Sequence, residues 1–167
     1  NDAFIGMKAM HGARNVIIDA NQFSKDDLWS IGLMPGAASH AAGQPGARTQ
    51  KANVDGYHSV THNIISDLGY GSAYWMWKND RMSAYAIRLE KGQKPENPPL
   101  RDVLLRDNLV YDSGADGILV DGKPAPQGPR FKYTVFTTPG PLGPQGMHLS
   151  RNLCAPGSEG VPNAPPA

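Results

Sequence analysis

The sequence has little cysteine, no concentrated charge of one sign and no long apolar run. Cys154 is the single cysteine, which excludes an internal disulfide and a cysteine-based zinc cluster. Sixteen basic and fifteen acidic residues give a net charge of +1, without a basic or acidic block. This balance argues against nucleic acid or an anionic membrane surface as a partner. No apolar run reaches the roughly 18 residues that a membrane-spanning helix needs.

Glycine and proline are abundant, at 19 and 15 residues, so turns and loops take up much of the chain. The length of 167 residues suits one domain with a continuous core, and 40% hydrophobic residues indicate a globular chain. The sequence begins at Asn1, without an initiator methionine or a signal peptide. We interpret it as a piece of a longer chain.

A sequence motif recurs along the chain. Its copies are VIIDANQF, HSVTHNII and VLLRDN, which start at Val16, His58 and Val103. Five residues into each copy stands an asparagine, and these asparagines are spaced by 42 and then 45 residues: Asn21, Asn63 and Asn108. A fourth, degraded copy is predicted from Phe131, ending in GMHLSRN (146–152). Self-similarity at such a period is typical of stacked repeats.

Apolar residues also recur at fixed places in these copies. Positions two and seven carry Ile18, Val60 and Leu105, then Phe23, Ile65 and Val110. About fifteen residues after each start comes a second apolar pair, given by Ile31 with Leu33, Ala73 with Trp75, and Ile118 with Leu119–Val120. The segments are short and β-branched, with Gly, Asn and Asp between them, which predicts short strands on successive coils. Equivalent asparagines would then form an internal ladder, with coils spaced by about 4.8 Å.

The segments NVIIDANQF…SIGLMPG, SVTHNIISDLGYGSAYW and DVLLRDNLVYDSGADGILVDG resemble the coils of the right-handed parallel β-helix superfamily. That superfamily includes pectate-lyase-like enzymes and phage tailspikes, and the resemblance covers about residues 14–152. It implies an all-β, right-handed parallel β-helix of three to four coils within a longer chain. The GHG and paired-aspartate signatures of its hydrolases and the arginine-rich signature of its calcium-dependent lyases are absent. The alternative fold is an antiparallel β-sandwich with chance asparagine spacing.

The predicted organisation has coils over 1–154 and a Pro/Gly-rich extended tail over 155–167. Two long loop excursions are predicted near 34–53 and 78–99. The open ends of so short a helix would expose strand edges, so we expect further sequence, a homotrimer or a companion chain to cover them.

Two aspartates share position nine of their copies. Asp67 and Asp112 would lie on adjacent coils, within about 5–7 Å of each other. Two close carboxylates raise one pKa or bind a cation between them. The pair is therefore the candidate acid/base pair for cleaving a glycan, and calcium is the one candidate cofactor. The alternative is that both side chains cap turns.

His62 and Asp107 share position four, so a histidine–aspartate pair across coils is predicted as a substrate-binding or base-orienting element. The alternative is an ordinary surface hydrogen bond. No zinc motif is present, since the i,i+4 spacing of His58 and His62 falls on a predicted strand. No metal site other than calcium is predicted.

Tyr74 and Trp77 belong to the densest aromatic stretch, and exposed aromatic rings stack on the apolar faces of sugars. Lys78, Arg81 and Arg88 follow and would neutralise uronate or sulfate groups. The alternative is that these aromatics pack against the coils or a second subunit.

Together these residues predict a module that recognises or depolymerises polysaccharide as a lyase or a glycoside hydrolase, although whether it is an enzyme stays open. The expected location is extracellular, periplasmic or on a virion surface. The alternative is a non-catalytic stalk or adhesion segment of a phage tail or surface protein. A periplasmic metal-handling β-helix would need more Met, His and Cys than the chain has.

Overall fold

A computed structural model describes residues 5–10, 12–26, 29–35, 54–68, 85–90, 98–111, 119–120, 123–124, 133–137, 140–141 and 143–155. Within these ranges the chain is all-β, and no helix long and apolar enough to cross a membrane is found. The strands are β1 (Ile5–Met10), β2 (Ile17–Asp19), β3 (Gln22–Ser24), β4 (Trp29–Met34), β5 (Gly56–Thr61), β6 (Ile64–Ser66), β7 (Tyr85–Leu89), β8 (Arg101–Arg106), β9 (Leu109–Tyr111), β10 (Leu119–Val120), β11 (Lys123–Pro124), β12 (Tyr133–Thr137), β13 (Gln145–Ser150) and β14 (Leu153–Ala155).

Within the described ranges, the strands form three parallel sheets of four strands each and one antiparallel pair, β10 with β11. Sheet 1 has the order β1–β4–β7–β12, sheet 2 the order β2–β5–β8–β13, and sheet 3 the order β3–β6–β9–β14. The chain therefore visits sheets 2, 3 and 1 in turn and moves over by one strand each time. We call β2–β3–β4 coil 1, β5–β6–β7 coil 2, β8–β9–β12 coil 3 and β13–β14 coil 4. Parallel strands in three stacked sheets are compatible with a parallel β-helix.

The core lies between the sheets because side chains alternate across each strand. Ile18, Val60 and Leu105 are paired in register across sheet 2 and are at most 1% exposed. In sheet 3, Phe23, Ile65 and Val110 are likewise paired. The predicted apolar positions two and seven are thus confirmed. Burial of each such side chain contributes about 1.5–3 kcal/mol.

The asparagine ladder is confirmed and runs through four coils. Asn63 donates its backbone N–H to Oδ1 of Asn108 over 3.1 Å, and its Nδ2 donates to the same oxygen over 3.0 Å. The same pair of hydrogen bonds joins Asn21 to Asn63 and Asn108 to Asn152. Each amide therefore satisfies buried backbone groups at the turn of the preceding coil, which is the physical reason for the repeated residue.

The prediction for the third strand is confirmed in coil 1 but does not hold for the later coils. β4 carries Ile31 and Leu33 and pairs with β1 on one side and β7 on the other. Residues 73–75, the predicted partners, lie outside the described residues. Strand β7 instead lies inside the segment 78–99 predicted as an excursion. Leu119–Val120 does not stack on β4 either, because it forms an antiparallel pair with β11.

The boundary of the fourth copy also differs from the prediction. β12 follows the predicted start at Phe131, but it pairs with β7 and so completes coil 3. Coil 4 begins at β13, which pairs with β8. The assumption of a constant spacing from strand to strand fails because the segments that lead to sheet 1 differ in length.

Three columns of left-handed residues form the corners of the coils. The nine described non-glycine residues with positive φ all lie in these columns. The first column contains Asn15, Tyr57 and Asp102, with Gly146 as its fourth member. The second contains Ala20, His62, Asp107 and Arg151, and the third contains Lys25 and Asp67. A left-handed residue costs roughly 1 kcal/mol or more unless it is Gly, Asn or Asp. The corners therefore place surface side chains in vertical rows, one per coil.

Candidate functional site

The corner between sheets 2 and 3 carries a row of contacting polar side chains. We call this row the corner ridge; it consists of Asp19, Thr61, His62, Arg106, Asp107 and Arg151. They occupy positions three and four of successive coils, at the end of β2, β5, β8 and β13. The left-handed backbone at position four turns the chain sharply there, which brings the side chains of neighbouring coils together.

His62 bridges two coils at the centre of the ridge. Its Nδ1 lies 2.8 Å from Oδ1 of Asp19, and its Nε2 lies 3.5 Å from Oδ2 of Asp107. Thr61 donates its hydroxyl hydrogen to Asp19. These contacts, first the Thr61 hydroxyl and then His62, lower the pKa of Asp19 below its ordinary value. The predicted register of His62 and Asp107 is thus observed as a direct contact, although its role in binding stays a prediction.

Asp107 is the most heavily paired carboxylate of the ridge. Arg151 donates to it through Nε and Nη2, both over 2.6 Å, and Arg106 Nε lies 3.2 Å away. Hydrogen bonding by Arg151 holds the pKa of Asp107 below its ordinary value. A bidentate arginine–carboxylate pair has fixed geometry, but exposure to solvent limits its contribution to stability.

The ridge is therefore an alternating row of acid, imidazole, acid and guanidinium on the surface. About half of the His62 side chain is exposed, as is about two thirds of that of Arg151. A histidine held between two carboxylates has a fixed ring orientation, as a base or a hydrogen-bond donor requires. Arg106, Arg151 and Asp19 were not predicted, although Arg151 precedes Asn152 as His62 precedes Asn63.

The predicted catalytic pair is only half within the described residues. Asp67 lies at the corner after β6 with φ of 55° and donates its backbone N–H to the carbonyl of Tyr111 over 3.1 Å. Asp112 lies outside them, so the distance between the carboxylates stays a prediction. The register also places Lys25 beside Asp67, one coil earlier. Among described residues no group of acidic, histidine or cysteine side chains is arranged to hold a metal ion.

The predicted sugar-binding residues Tyr74, Trp77, Lys78 and Arg81 lie outside the described residues. Within them, Tyr57 is an aromatic side chain that is half exposed, at the left-handed second residue of β5. It was not singled out from the sequence. The sequence does not reveal this exposure, because an isolated tyrosine in a strand pattern does not predict the left-handed backbone that places Tyr57 at a corner.

Arg88 is held by its own sheet. Its guanidinium carbon lies 4.7 Å from the ring centre of Trp29 and 5.6 Å from that of Tyr85. Its Nη2 lies 2.5 Å from Glu90 Oε1. The Trp29 ring fits there because Gly32 has no side chain; a Cβ on Gly32 would lie 2.6 Å from the indole nitrogen. The charge of Arg88 is already matched by Glu90, so it is a weaker candidate for an acidic sugar than the sequence predicts.

Asp26 is a buried acid that the sequence did not single out. It is 1% exposed and accepts a hydrogen bond from the hydroxyl of Ser30 over 2.6 Å. Burial raises the pKa of Asp26, and the hydroxyl offsets part of that effect. Leu68 stands one coil later at the equivalent place. Asp26 therefore occupies a core position, where a neutral carboxyl is favoured over a charged one.

His58 is buried where the flanking coils carry Val16 and Val103. Its Nδ1 accepts the backbone N–H of Val16 over 3.3 Å, so the ring proton lies on Nε2, for which the described residues provide no acceptor. Burial lowers the pKa of His58 below its ordinary value of 6.5. The core of coil 2 therefore contains an interior imidazole.

Replacing His58 by valine should flatten the acid dependence of stability. Because the pKa of His58 is lower in the folded chain, the unfolded chain binds the proton first as the pH falls through about 6.5. The free energy of unfolding of the original chain should therefore fall with a slope of up to about 1.4 kcal/mol per pH unit from this group. Urea unfolding between about pH 7 and pH 5 measures it. The exposed His148, replaced by valine, is the control and should keep the slope; equal slopes for the original chain and H58V would contradict the prediction.

Comparison of the chain with protein-family models, with curated proteins and with solved structures gives no match.

Proposed function

We propose that the chain is a right-handed parallel β-helix module that binds polysaccharide outside the cytoplasm. The observation that carries this proposal is the corner ridge, where hydrogen-bonding groups of alternating charge follow one another from coil to coil. Adjacent coils are separated by about 4.8 Å, so the ridge offers a contact point at each step along a straight line. An extended linear polymer suits such a row better than a compact small molecule, which takes a concave pocket.

The chemistry of the ridge suits a sugar chain with acidic groups. Arg151 is paired with Asp107 through Nε and Nη2, and Arg106 through Nε. The further N–H groups of these two guanidinium groups are planar donors that match carboxylate or sulfate. His62 and the carboxylates supply donors and acceptors for hydroxyl groups. Tyr57 offers an aromatic face at the neighbouring corner, as Tyr74 and Trp77 do in the sequence-based hypothesis.

If the module is also an enzyme, it is a lyase or a hydrolase. The proposed acid/base pair remains Asp67 and Asp112. His62, held by Asp19 and Asp107, is a second candidate base. Calcium is the candidate cofactor, bound between Asp67 and Asp112.

A non-catalytic stalk or adhesion segment is the second candidate, and one observation favours it. Asp107 is fully paired with Arg151 and Arg106, so part of the ridge neutralises itself without a ligand. A ridge of this kind stabilises the stacking of coils, and its residues need no substrate to explain them.

A glycan-array screen of neutral, uronate-containing and sulfated polysaccharides tests the proposal, followed by assays for new reducing ends and for unsaturated products on each hit. We expect acidic glycans to bind, and R151Q and H62A each to weaken binding about tenfold, the loss of roughly one charged hydrogen bond. The matched control is H148A, an exposed histidine on the outer face of sheet 2. Thermal unfolding of each variant separates loss of binding from loss of fold.

The products then decide between the candidates. An absorbing unsaturated product identifies a lyase, and new reducing ends without it identify a hydrolase; D67N and D112N should abolish either. Binding without cleavage leaves a recognition module. Absence of binding to every glycan class overturns the proposal in favour of the stalk.

A further inference from the structure

A row of exposed apolar side chains runs beside the corner ridge. We call it the apolar row; it consists of Ile64 in coil 2, Leu109 in coil 3 and Leu153 in coil 4, which are paired in register in sheet 3. Ile64 is 40% exposed and Leu153 is 66% exposed, while Leu109 is partly buried. Single exposed apolar side chains are ordinary on a protein surface, but three in register on successive coils form a continuous stripe.

The apolar row and the ridge are held side by side by the same backbone. Position five is the buried ladder asparagine, and the residues before and after it face solvent. Ile64 therefore lies two residues after His62, and Leu153 lies two residues after Arg151. Two residues span at most about 7 Å along a strand. A ligand that follows the ridge from coil to coil therefore also reaches the apolar row.

The exposed stripe is narrow. Two residues farther along the same strands stand Ser66, which is 3% exposed, and Tyr111, which is partly buried. A stable protein partner covers about 800 Å² on each side. A stripe one side chain wide beside one row of charged groups suits a thin, extended occupant such as a single glycan strand better than a protein surface.

The charges of the ridge indicate where an anionic group binds. In coils 3 and 4 the guanidinium groups of Arg106 and Arg151 both contact the carboxylate of Asp107. Two positive charges against one negative charge leave an excess of +1 at this part of the ridge. A carboxylate of a glycan is therefore attracted there, next to Leu109 and Leu153 of the apolar row.

We propose that the ridge and the apolar row together bind a polysaccharide of uronate sugars that carry O-acetyl groups. This assignment rests on the proposed function and narrows its substrate class. The uronate carboxylate contacts the guanidinium groups of Arg106 and Arg151. The acetyl methyl group packs on Ile64, Leu109 and Leu153.

The shape of the apolar row selects a methyl group rather than the face of a sugar ring. A flat sugar face stacks on a flat aromatic ring. Branched aliphatic side chains about 4.8 Å apart instead leave shallow gaps between them, into which a methyl group fits. In a uronate the carbon C6 belongs to the carboxylate, so the sugar has no C6 methyl group. Its hydroxyl groups remain, and an acetyl ester on one of them supplies the methyl group.

Matched forms of uronate polymers test the assignment. Polygalacturonate, alginate and glucuronan are each immobilised in unmodified and in chemically O-acetylated form, and the dissociation constant of the full chain is measured on both. We expect the acetylated form of at least one polymer to bind at least about fourfold more tightly, the effect of burying one methyl group. Mild alkali, which removes the esters, should restore the dissociation constant of the unmodified form.

Threonine substitutions separate the apolar row from the ridge. I64T and L153T introduce a hydroxyl group while keeping a residue that favours strands. Together they should bring the ratio of the two dissociation constants close to one. The matched control is I17T, because Ile17 is 75% exposed but has Ser59 as its neighbour in register; it should keep the ratio. R151Q should weaken binding of both forms and also keep the ratio.

The outcomes distinguish this assignment from the proposed function. Equal binding of acetylated and unmodified polymers, or an unchanged ratio in the I64T–L153T variant, overturns the assignment while glycan binding stands. Absence of binding to every uronate polymer in both forms also overturns it, and the wider glycan screen then decides whether the proposed function holds for neutral or sulfated glycans. Thermal unfolding shows that the variants are folded, and I64T and L153T measured singly replace the double variant if it unfolds.

Discussion

Replacing Asn108 by alanine should lower the free energy of unfolding by about 3–5 kcal/mol. The side chain is 2% exposed, and its Oδ1 accepts both hydrogen bonds from Asn63. Its Nδ2 donates to the carbonyl of Val60 and to Asn152. Alanine would leave two donors of Asn63 without partners and would remove one hydrogen bond to the Val60 carbonyl, at about 1–3 kcal/mol for each buried unsatisfied group. Urea unfolding of the purified chain measures the loss.

The ladder provides its own control. Asn21 stands at the coil 1 end and is only half-buried, and its Nδ2 donates to Asp19 and Asn63. Asn21→Ala leaves no described asparagine without an acceptor, so we expect a loss of about 1 kcal/mol. If Asn108→Ala and Asn21→Ala lowered the free energy of unfolding equally, the ladder would not act as a continuous network. Burial would then add nothing to the contribution of Asn108.

Replacing Gly56 by alanine should cost about 3 kcal/mol. Gly56 begins β5 and is paired in register with Arg101 of β8. An added Cβ would lie 2.3 Å from the carbonyl oxygen of Arg101, which is backbone and cannot rotate away. The N–H of Arg101 is also bound to the carbonyl of Asp55, so separating the two strands would break the corner. Overpacking of this kind costs about 1–3 kcal/mol or more, because coil 2 and coil 3 must move apart. Thermal unfolding should show a lower midpoint.

Gly140→Ala separates the clash from the backbone effect. Gly140 has φ of 101°, and an added Cβ would meet no heavy atom within 4 Å. Its substitution should therefore cost only the conformational strain of about 1 kcal/mol. If G56A and G140A lowered stability equally, the close approach of β5 to β8 would not explain the glycine.

The candidate site was partly predictable from the sequence. His62 and Asp107 share a register position, and the block between positions zero and nine has the same length in each copy, so their contact could be inferred. Arg151 shares the same register position, so its contact with Asp107 could be inferred in the same way from its place before Asn152. The diagonal contact of Asp19 with His62 could not, because it joins neighbouring positions of two coils across the left-handed corner.

The sequence by itself determined the strands of sheets 2 and 3, their register and the asparagine ladder. It did so because these strands lie within a short block without insertions, so equal spacing along the chain becomes vertical stacking in space. Only the tertiary structure decided which strands follow β4 in sheet 1, because segments of different length lead to β4, β7 and β12. Several apolar runs in those segments have similar β propensity, and propensity alone does not choose between them. In the structure, Tyr85–Leu89 pairs with β4 and Tyr133–Thr137 pairs with Tyr85–Leu89, so each of these strands satisfies backbone groups at the edge of the previous coil.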